Sequence, residues 1–455
     1  MTEIAVPTGE GLVDESEAHL ARPLLSAAYR RYALWVLLLI YVVNFLDRQV
    51  INILAEPIKN DLHLLNWQVG LLSGFAFGLV YTVLGFPLAR AADRGNRVWI
   101  ISACLTAWSG FTAVCGLAQN FGQLVAARAG VGIGEAGCTP TSHALIADYT
   151  PKEKRASALA FYAMGTPIGS LLGLAIGGFL SDFFGWRVAF LVAAIPGLGL
   201  AILSFFTLKE PRRLIGKASE RVTEEMASFG ETLRYLSRKR AFWLLAWGAG
   251  IRAFLGYGHA AFSASFFYRS HGAEIAALAH QFGMRPQTFV GLSLGVIGGV
   301  AGTFGSWLGG QIADRWGKRD LRVYGSIPAI AVIAALPFTL LIYTTNSAVL
   351  AIALTSVTGI MGSLWYGPVY SSAQGMVPPK MRAMSASMML FVINFLGLVL
   401  GAICIGALAD LLNKVGGLGK AEGLRWALIS STIAGSVSAL LFWLARRRVR
   451  EEMVS

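Results

Sequence analysis

Charged residues are scarce in this chain of 455 residues: they make up 14%, whereas soluble globular proteins carry about a quarter. Hydrophobic residues reach 55% and the mean hydropathy is +0.60. So little charge cannot cover a water-exposed surface of this size. The composition therefore excludes a soluble globular domain and predicts a membrane protein.

Several chemical signatures are also missing from the sequence. There is no P-loop, which argues against an ATP-driven pump, and no recognisable nucleophile–base arrangement, so we expect no enzyme. The segment "GIGEAG" (132–137) fits a dinucleotide-binding pattern but lies inside an apolar run without strands around it, so that interpretation fails. No cofactor is expected.

Metal and disulfide chemistry are not indicated either. His143 and His259 are isolated, and we expect hydrogen-bonded interior residues rather than metal ligands. The cysteines all lie in apolar runs and are interpreted as small buried apolar residues: Cys104, Cys115, Cys138 and Cys404.

Long apolar runs are what the sequence has in abundance. A membrane-spanning helix needs about 20 mostly apolar residues, and no run alternates as in a membrane barrel. The sequence predicts an all-α membrane protein with twelve spans: 32–56, 67–92, 98–118, 121–148, 156–180, 187–208, 241–268, 288–312, 323–343, 347–370, 384–411 and 424–445.

The basic residues predict the orientation. With twelve spans, 28 of the 38 Lys and Arg residues fall on one side, nine of them in the segment 209–240. By the positive-inside rule both termini are cytoplasmic, so we expect a multi-pass membrane protein. The net charge of +13 is then mostly a topology signal with lipid contact, and no nucleic-acid partner is expected.

The chain also repeats itself. "LARAADRGNRV" (88–98) matches "GGQIADRWGKRD" (309–320), and "TPKEKRASA" (150–158) matches "VPPKMRAMSA" (377–386). "GLAIGGFLSD" (173–182) likewise matches "GAICIGALAD" (401–410). Two pseudo-symmetric six-helix bundles follow, with these boundaries: a disordered cytoplasmic tail 1–30, a bundle 31–208, a linker 209–240, a bundle 241–447 and a tail 448–455.

These motifs resemble the major facilitator superfamily. "DRGNR" and "DRWGKR" are similar to its loop motif between helices 2 and 3 and to the repeat of that motif, and "RAGVG" (128–132) is similar to its fourth-helix motif. The resemblance covers about residues 30–447. It implies a fold of two helical bundles around a central cavity and transport by alternating access.

Within that superfamily the sequence most resembles the spinster family, as a bacterial homologue, and the resemblance implies a location in a bacterial inner membrane. The resemblance rests on three segments, "NFLDR", "RAGVGIGEAGCTPTSHALIADYTPKEKR" and "AFYAMGTPIGSLLGLAIGG". Animal spinster proteins are associated with lysophospholipid and sphingosine-1-phosphate transport. The competing resemblance is to organic anion–cation symporters, which share the charged helix 1 and helix 4 but usually carry a Trp-Phe-Pro that is missing here.

Five charged residues interrupt the apolar spans, and each costs about 2.5–3.5 kcal/mol at a helix centre on insertion scales. Four of them lie on helices 1 and 4, which line the cavity in this superfamily, so we expect a proton and substrate site rather than static ion pairs. The five residues are Asp47, Arg48, Arg128, Glu135 and Arg252.

Depth along the helices suggests partners. At about 1.5 Å per residue, Asp47 and Arg128 lie at the same level and can pair. Glu135 lies about 11 Å deeper, without a partner at its own depth on helix 4. A carboxyl without a partner in low dielectric favours its neutral form, so we predict proton coupling at Glu135. Asp47 is the second predicted coupling residue, because its protonation would free Arg128 to bind an anionic head group. The counterpart of Glu135 in the second half is about Gly362.

Three arginines are candidate substrate or charge-partner groups. Arg48 and Arg128 belong to the cluster on helices 1 and 4. Arg252 on helix 7 is a lone cation suited to an anionic head group, unless it extends to the membrane interface.

The repeated loop motifs predict a cytoplasmic gate. Asp93 and Asp314 are expected to pair with the N-terminal end of a neighbouring helix and close the inner side, although structuring of the loop is an alternative. The basic residues of the two motifs are included in this prediction: Arg94, Arg97, Arg315 and Arg319.

The predicted cavity helices carry many aromatic and few polar residues, which suits an amphiphile better than a sugar. Candidate lining residues are Phe45, Tyr162, Tyr257, Tyr366 and Asn394. We expect a monomeric, proton-coupled transporter of an amphipathic, lipid-like anion of the lysophospholipid or sphingolipid type. The alternatives are a proton symporter for small carboxylates and a non-transporting membrane receptor.

Overall fold

The structure is a computed structural model that describes residues 25–150, 154–211, 228–317 and 319–453. Its described part is built from helices, and nine stretches are long and apolar enough to cross a membrane. One of these, Ser157–Thr207, has 51 residues and is too long for one crossing. It turns at Gly185, where φ is +82° and no atom lies close to the missing Cβ, so it makes two spans.

Two further helices complete the predicted twelve. The first, 121–149, is interrupted at Gly137. The second, Arg240–Ser270, carries Arg252, which lowers its mean hydropathy. We number the spans α1 to α12: Ala27–Asp61; Asn66–Gly70 with Leu71–Phe75 and Ala76–Arg94; Arg97–Leu117; Phe121–Ala136 with Cys138–Tyr149; Arg155–Ala163 with 165–184; 186–207; Arg240–Ser270; Pro286–Gly317; Val323–Thr344; Ala348–Ser363 with Tyr366–Gly375; Arg382–Asn394 with Phe395–Leu400 and Gly401–Lys414; Gly419–Ser431 with Ile433–Glu452.

The ends of the bundles differ slightly from the predicted boundaries. Helix α1 begins at Ala27, where the Ser26 side chain caps it, so residues 27–30 of the predicted tail are helical. Helix α12 continues to Glu452, five residues past the predicted bundle. Short helices cover Phe229–Ser237 in the linker and Gly272–Gln281 after α7. Most of the predicted N-terminal tail and the middle of the linker lie outside the described residues.

Close packing of glycines sets the rotation of α1 against α5. A Cβ at Gly169 would lie 2.3 Å from the Val42 carbonyl oxygen, and one at Gly173 would lie 2.5 Å from that of Leu46. Only glycine permits this approach, so the two helices cannot rotate freely past each other. This contact directs Asp47 and Arg48, which follow Leu46, toward different neighbours.

The two ends of the molecule differ in how the halves meet. We call the end with both chain termini the terminal end and the opposite one the distal end. At the terminal end, Lys239 donates to the Glu452 carbonyl oxygen at 2.8 Å and Tyr149 to that of Lys209 at 2.7 Å, so these contacts join residues of the same half. At the distal end, polar contacts join the two halves, among them Arg269 to Glu56 at 2.6 Å.

Candidate functional site: the central cavity

A cavity of about 970 Å³ lies between the two halves. Helices α1, α2, α4 and α5 line it from the first half and α7 to α12 from the second. Its volume is within the ~300–1,000 Å³ that small-molecule sites usually have. The cavity is therefore large enough for a substrate that contacts both halves.

The first charge pair at this cavity joins Arg48 and Glu135. Arg48 Nε donates to Glu135 Oε2 at 2.6 Å, and the Glu135 side chain is fully buried. The interpretation of Glu135 as an unpaired carboxyl is therefore wrong. It compared residues by their distance along straight helix axes, whereas the long Arg48 side chain reaches the deeper carboxylate.

Aromatic rings hold Arg48 at the cavity wall. Its guanidinium carbon lies 5.2 Å from the ring centre of Phe45, 5.0 Å from that of Phe77 and 4.5 Å from that of Tyr81. Rings at such distances attract a cation. Arg48 lines the cavity while Glu135 lies behind it, so the guanidinium separates the carboxylate from the cavity.

The second pair lies deeper in the first half. Asp47 Oδ2 is 3.6 Å from Arg128 Nη1, and Thr112 donates to Asp47 Oδ1 at 2.8 Å. Both side chains of the pair are at most 2% exposed. The distance exceeds that of a hydrogen bond, and neither Asp47 Oδ2 nor Arg128 Nη1 has a hydrogen-bond partner among the described residues. The structure thus brings together the two residues that the sequence analysis paired.

Arg252 lines the cavity from the second half, on α7. It makes no hydrogen bond or ion pair with any described residue. Its guanidinium lies against Gly362 of α10, where a Cβ would be 2.0 Å from Nη2. Arg252 is therefore a cation at the cavity that has no counter-charge within the described part of the chain.

Four of the five predicted lining residues border the cavity: Phe45, Tyr257, Tyr366 and Asn394. Tyr162 does not, because it is 1% exposed and stacks on Tyr41 with ring centres 4.3 Å apart. Tyr41 occupies the cavity wall instead. Both residues are aromatic in an apolar run, so the sequence offered no signal that separates them.

The cavity wall carries more hydroxyl groups than the sequence analysis expected. Several donate to carbonyls of their own helix: Ser263 to His259 at 3.0 Å, Thr339 to Ala335 at 2.9 Å and Thr355 to Ile352 at 2.6 Å. His259 is itself bonded to Ser431 and Tyr343, as an interior histidine would be. No cluster of three potential metal ligands occurs in the described residues.

The predicted gate residues fall into three groups. Asp93 and Arg94 lie at the end of α2, but their side chains are outside the described set. In the second half the exposed residues are Asp314, Arg315 and Arg319. Arg97 is buried and contacts Asp148 at 2.6 Å and Glu210 at 2.7 Å, so it ties α3 to other segments of its own half.

Two acidic residues cap helices at the distal end, a role that was not predicted from the sequence. Asp410 of α11 accepts hydrogen bonds from the backbone N–H groups of Asn66 at 3.1 Å and Trp67 at 2.8 Å, at the start of α2. Asp182 of α5 accepts from the backbone N–H of Thr288 at 2.6 Å, near the start of α8. Each carboxylate caps a helix of the opposite half. The only indication in the sequence was that Asp182 and Asp410 end the matching segments 173–182 and 401–410.

An ion pair joins the halves beside the first cap. Arg269 at the end of α7 contacts Glu56 of α1 at 2.6 Å, and its Nη1 donates to the Asn66 side-chain oxygen at 3.1 Å. We call Asp182, Asp410 and their capped helix ends the distal latch. With Glu56 and Arg269, it joins the two halves at the distal end.

Two helical halves around a cavity with buried charge pairs define a secondary membrane transporter rather than an enzyme. The sequence model of the Major Facilitator Superfamily matches residues 37–402, and the chain belongs to that superfamily. The predicted fold class, with twelve helices in two bundles, is confirmed.

Known relatives also support the resemblance to spinster proteins. A bacterial homologue of the human lysosomal transporter Spinster, in an inward-facing and unoccupied conformation, superposes with a TM-score of 0.84 and 31% identity, over 95% of this chain and 100% of that one. An MFS-type efflux pump of Mycolicibacterium smegmatis is 31% identical over 93% of this chain and 94% of its own. A hexuronate transporter of Bacillus subtilis is 29% identical over 58% and 61%.

Proposed function

We propose that the protein is a proton-coupled secondary transporter that moves an amphipathic, anionic, lipid-like substrate through the central cavity by alternating access. A lysophospholipid or sphingolipid-type molecule fits this description. The observation that carries the proposal is the Arg48–Glu135 pair, with the carboxylate fully buried and the cation at the cavity wall. The similarity to a bacterial homologue of the lysosomal transporter Spinster supports a transport function.

Coupling follows from competition for Arg48. While Glu135 is ionised, its carboxylate occupies the guanidinium of Arg48 at 2.6 Å. A proton on Glu135 neutralises the carboxylate and leaves Arg48 available for an anion from the cavity. Proton and anionic substrate therefore bind cooperatively, and substrate affinity rises as the pH falls. Asp47 and Arg128 offer a second pair of the same kind, 3.6 Å apart.

The aromatic cavity wall supports an amphiphile. Phe45, Tyr257 and Tyr366 present rings to the cavity, and the hydroxyls of Thr339 and Thr355 are engaged by backbone carbonyls. Apolar surface thus lies beside the cationic groups, as a head group with an alkyl chain requires.

A proton symporter of small organic carboxylates is the second candidate. The partial similarity to a hexuronate transporter favours it. In that case Arg48 binds the carboxylate directly.

Uptake into proteoliposomes distinguishes the two candidates. We expect an inward-directed proton flux to accompany uptake of a labelled lysophospholipid, and a pH gradient to stimulate it, whereas glucuronate is not taken up. Protein-free liposomes are the control, since lysophospholipids enter bilayers by themselves. Uptake of glucuronate alone supports the carboxylate symporter, and uptake of neither contradicts a transport function for both classes.

We further propose a monomer in a bacterial inner membrane with both termini cytoplasmic. The basic segments at the terminal end support this orientation. The terminal end is then the cytoplasmic one, and a distal latch that is closed corresponds to an inward-facing state. Asp93 and Asp314 would close the terminal end in the opposite state.

The two gates give opposite expected shifts. Asp182→Ala with Asp410→Ala removes both caps, each worth ~0.5–2 kcal/mol, and should favour the form open at the distal end. Asp93→Asn should favour the form open at the terminal end. Spin-label distances across each end measure both shifts.

Asp61→Ala is the matched control. Asp61 is also a distal carboxylate, but it pairs with Arg187 of the same half at 2.6 Å. Unchanged distances in the Asp182 and Asp410 double variant would contradict the latch, and unchanged distances in Asp93→Asn would contradict that gate.

A further inference from the structure

The guanidinium of Arg252 fills a gap between two glycines. A Cβ at Gly362 of α10 would lie 2.0 Å from its Nη2, and a Cβ at Gly256 of α7 would lie 3.6 Å from its Nη1. Any larger residue at position 362 would displace the guanidinium from this place. Gly362 therefore leaves room for the cation, while a Cβ at Gly256 would only be in ordinary van der Waals contact with it. The internal repeat shows what the two glycines replace.

Packing of α7 on α11 repeats that of α1 on α5. A Cβ at Gly173 would lie 2.5 Å from the Leu46 carbonyl oxygen, and one at Gly401 would lie 2.7 Å from that of Phe254. The two glycines head the matching segments 173–182 and 401–410. Leu46 of α1 thus corresponds to Phe254 of α7.

Two positions after this matched pair, a charged residue of α1 corresponds to an uncharged residue of α7. Arg48 follows Leu46 by two positions, and Gly256 follows Phe254 by two. The α7 counterpart of Arg48 is therefore Gly256. Arg252 lies one helical turn before it.

Helices α4 and α10 show the same replacement. Gly132 and Ile133 align with Gly359 and Ile360, in the register that also aligns "TPKEKRASA" with "VPPKMRAMSA". In this register Glu135 corresponds to Gly362. The second half thus has glycine at both positions of the Arg48–Glu135 pair.

One guanidinium occupies this gap without a carboxylate. Arg252 has no hydrogen bond or ion pair to any residue that the structure describes, and it borders the cavity. A cation at membrane depth is costly unless a counter-charge or water compensates it. In the first half Glu135 supplies that charge, and in the second half the protein itself supplies none at the corresponding position.

We propose that Arg252, framed by Gly256 and Gly362, is an oxyanion site in which the substrate's carboxylate or phosphate takes the place that Glu135 has in the first half. This inference rests on the proposed transport of an anion and specifies a second cation, beside Arg48, that binds its charge. A guanidinium binds either oxyanion through two parallel N–H donors. Because no described carboxyl competes for Arg252, this cation contributes to anion binding whether or not Glu135 is protonated, and Arg48 adds its own contribution once Glu135 takes up a proton.

Gly362→Ala tests the site without removing the charge. The added methyl group displaces the flexible end of Arg252, so the guanidinium no longer meets the phosphate in the same place. Because hydrogen bonds to charged groups are then lost, we expect roughly 10- to 100-fold weaker binding of lysophosphatidic acid. Gly298→Ala is the matched control, because Gly298 lines the same cavity and a Cβ there meets nothing within 4 Å. Binding to purified protein is measured by calorimetry.

A double-mutant comparison separates positioning from simple crowding. Arg252→Gln should weaken binding to a similar extent, and adding Gly362→Ala to Arg252→Gln should cost nothing more. If Gly362→Ala weakens binding equally with and without Arg252, the glycine acts by crowding the cavity and the oxyanion site is refuted.

Probe chemistry identifies the source of the anion. Lysophosphatidic acid, glucuronate and inorganic phosphate present an oxyanion, whereas monoacylglycerol has the chain without it. Only oxyanion probes should lose affinity in Gly362→Ala. Unchanged affinity for lysophosphatidic acid overturns this inference and leaves the proposed function intact. Loss of affinity for glucuronate alone, with no wild-type binding of lysophosphatidic acid, supports the site and refutes the lipid substrate. Failure of the wild type to bind any probe overturns both.

Discussion

Replacing Glu135 by Gln is expected to abolish proton-driven transport while the fold is retained. In the wild type, Arg48 Nε donates to Glu135 Oε2 at 2.6 Å. Gln matches Glu in size, and its side-chain oxygen can still accept this hydrogen bond. The side chain no longer exchanges a proton, so a pH gradient has no group through which to act. Exchange of substrate across the membrane without a gradient should continue.

The measurement is uptake into proteoliposomes with and without a pH gradient. Stimulation by the gradient should disappear in Glu135→Gln. Glu422→Gln is the control, because Glu422 pairs with Arg425 at 2.6 Å and is 41% exposed. Gradient-driven uptake at the wild-type level in Glu135→Gln would show that another group carries the proton.

The second large effect concerns the stability of the Asp47–Arg128 pair. Asp47→Asn leaves Arg128 as a cation that is 1% exposed and has lost its counter-charge, a change that typically costs ~3–5 kcal/mol. The double variant Asp47→Asn with Arg128→Gln removes both charges and should be less destabilised than Asp47→Asn alone. It should still have altered coupling, since Asp47 is a proposed proton site.

A double-mutant cycle on thermal stability measures the interaction. We expect a coupling energy above ~1 kcal/mol for this buried pair. Asp61 and Arg187 form the comparison pair: they are in contact at 2.6 Å but are 45% and 40% exposed, and exposed pairs contribute ~0–1 kcal/mol. Strictly additive effects of Asp47→Asn and Arg128→Gln would mean that the two residues do not interact, despite their distance of 3.6 Å.

The distal latch illustrates why repeats are informative only after folding. Asp182 and Asp410 stand at the same place in two matching segments, so the sequence marked them as equivalent. It did not reveal that each caps a helix of the other half, at Thr288 and at Asn66. A cap between halves depends on how the bundles approach, and this approach leaves no periodic pattern in either segment.

The sequence alone determined the membrane class, the twelve spans and the two-fold repeat. A bilayer requires about 20 mostly apolar residues per helix and a backbone whose hydrogen bonds are satisfied within the helix. Both requirements are met by a local run of apolar residues, which is visible in the sequence. It also placed Asp47 level with Arg128, because both depths follow from helical rise.

Only the tertiary structure decided which charges meet. Arg48 reaches Glu135, Tyr162 is covered by Tyr41, and Arg252 lies between glycines of two helices. Position along a helix is set by residue count, but its tilt and rotation are set by contacts between helices, such as Gly173 against Leu46. Those contacts join residues far apart in the chain, so local sequence patterns do not contain them.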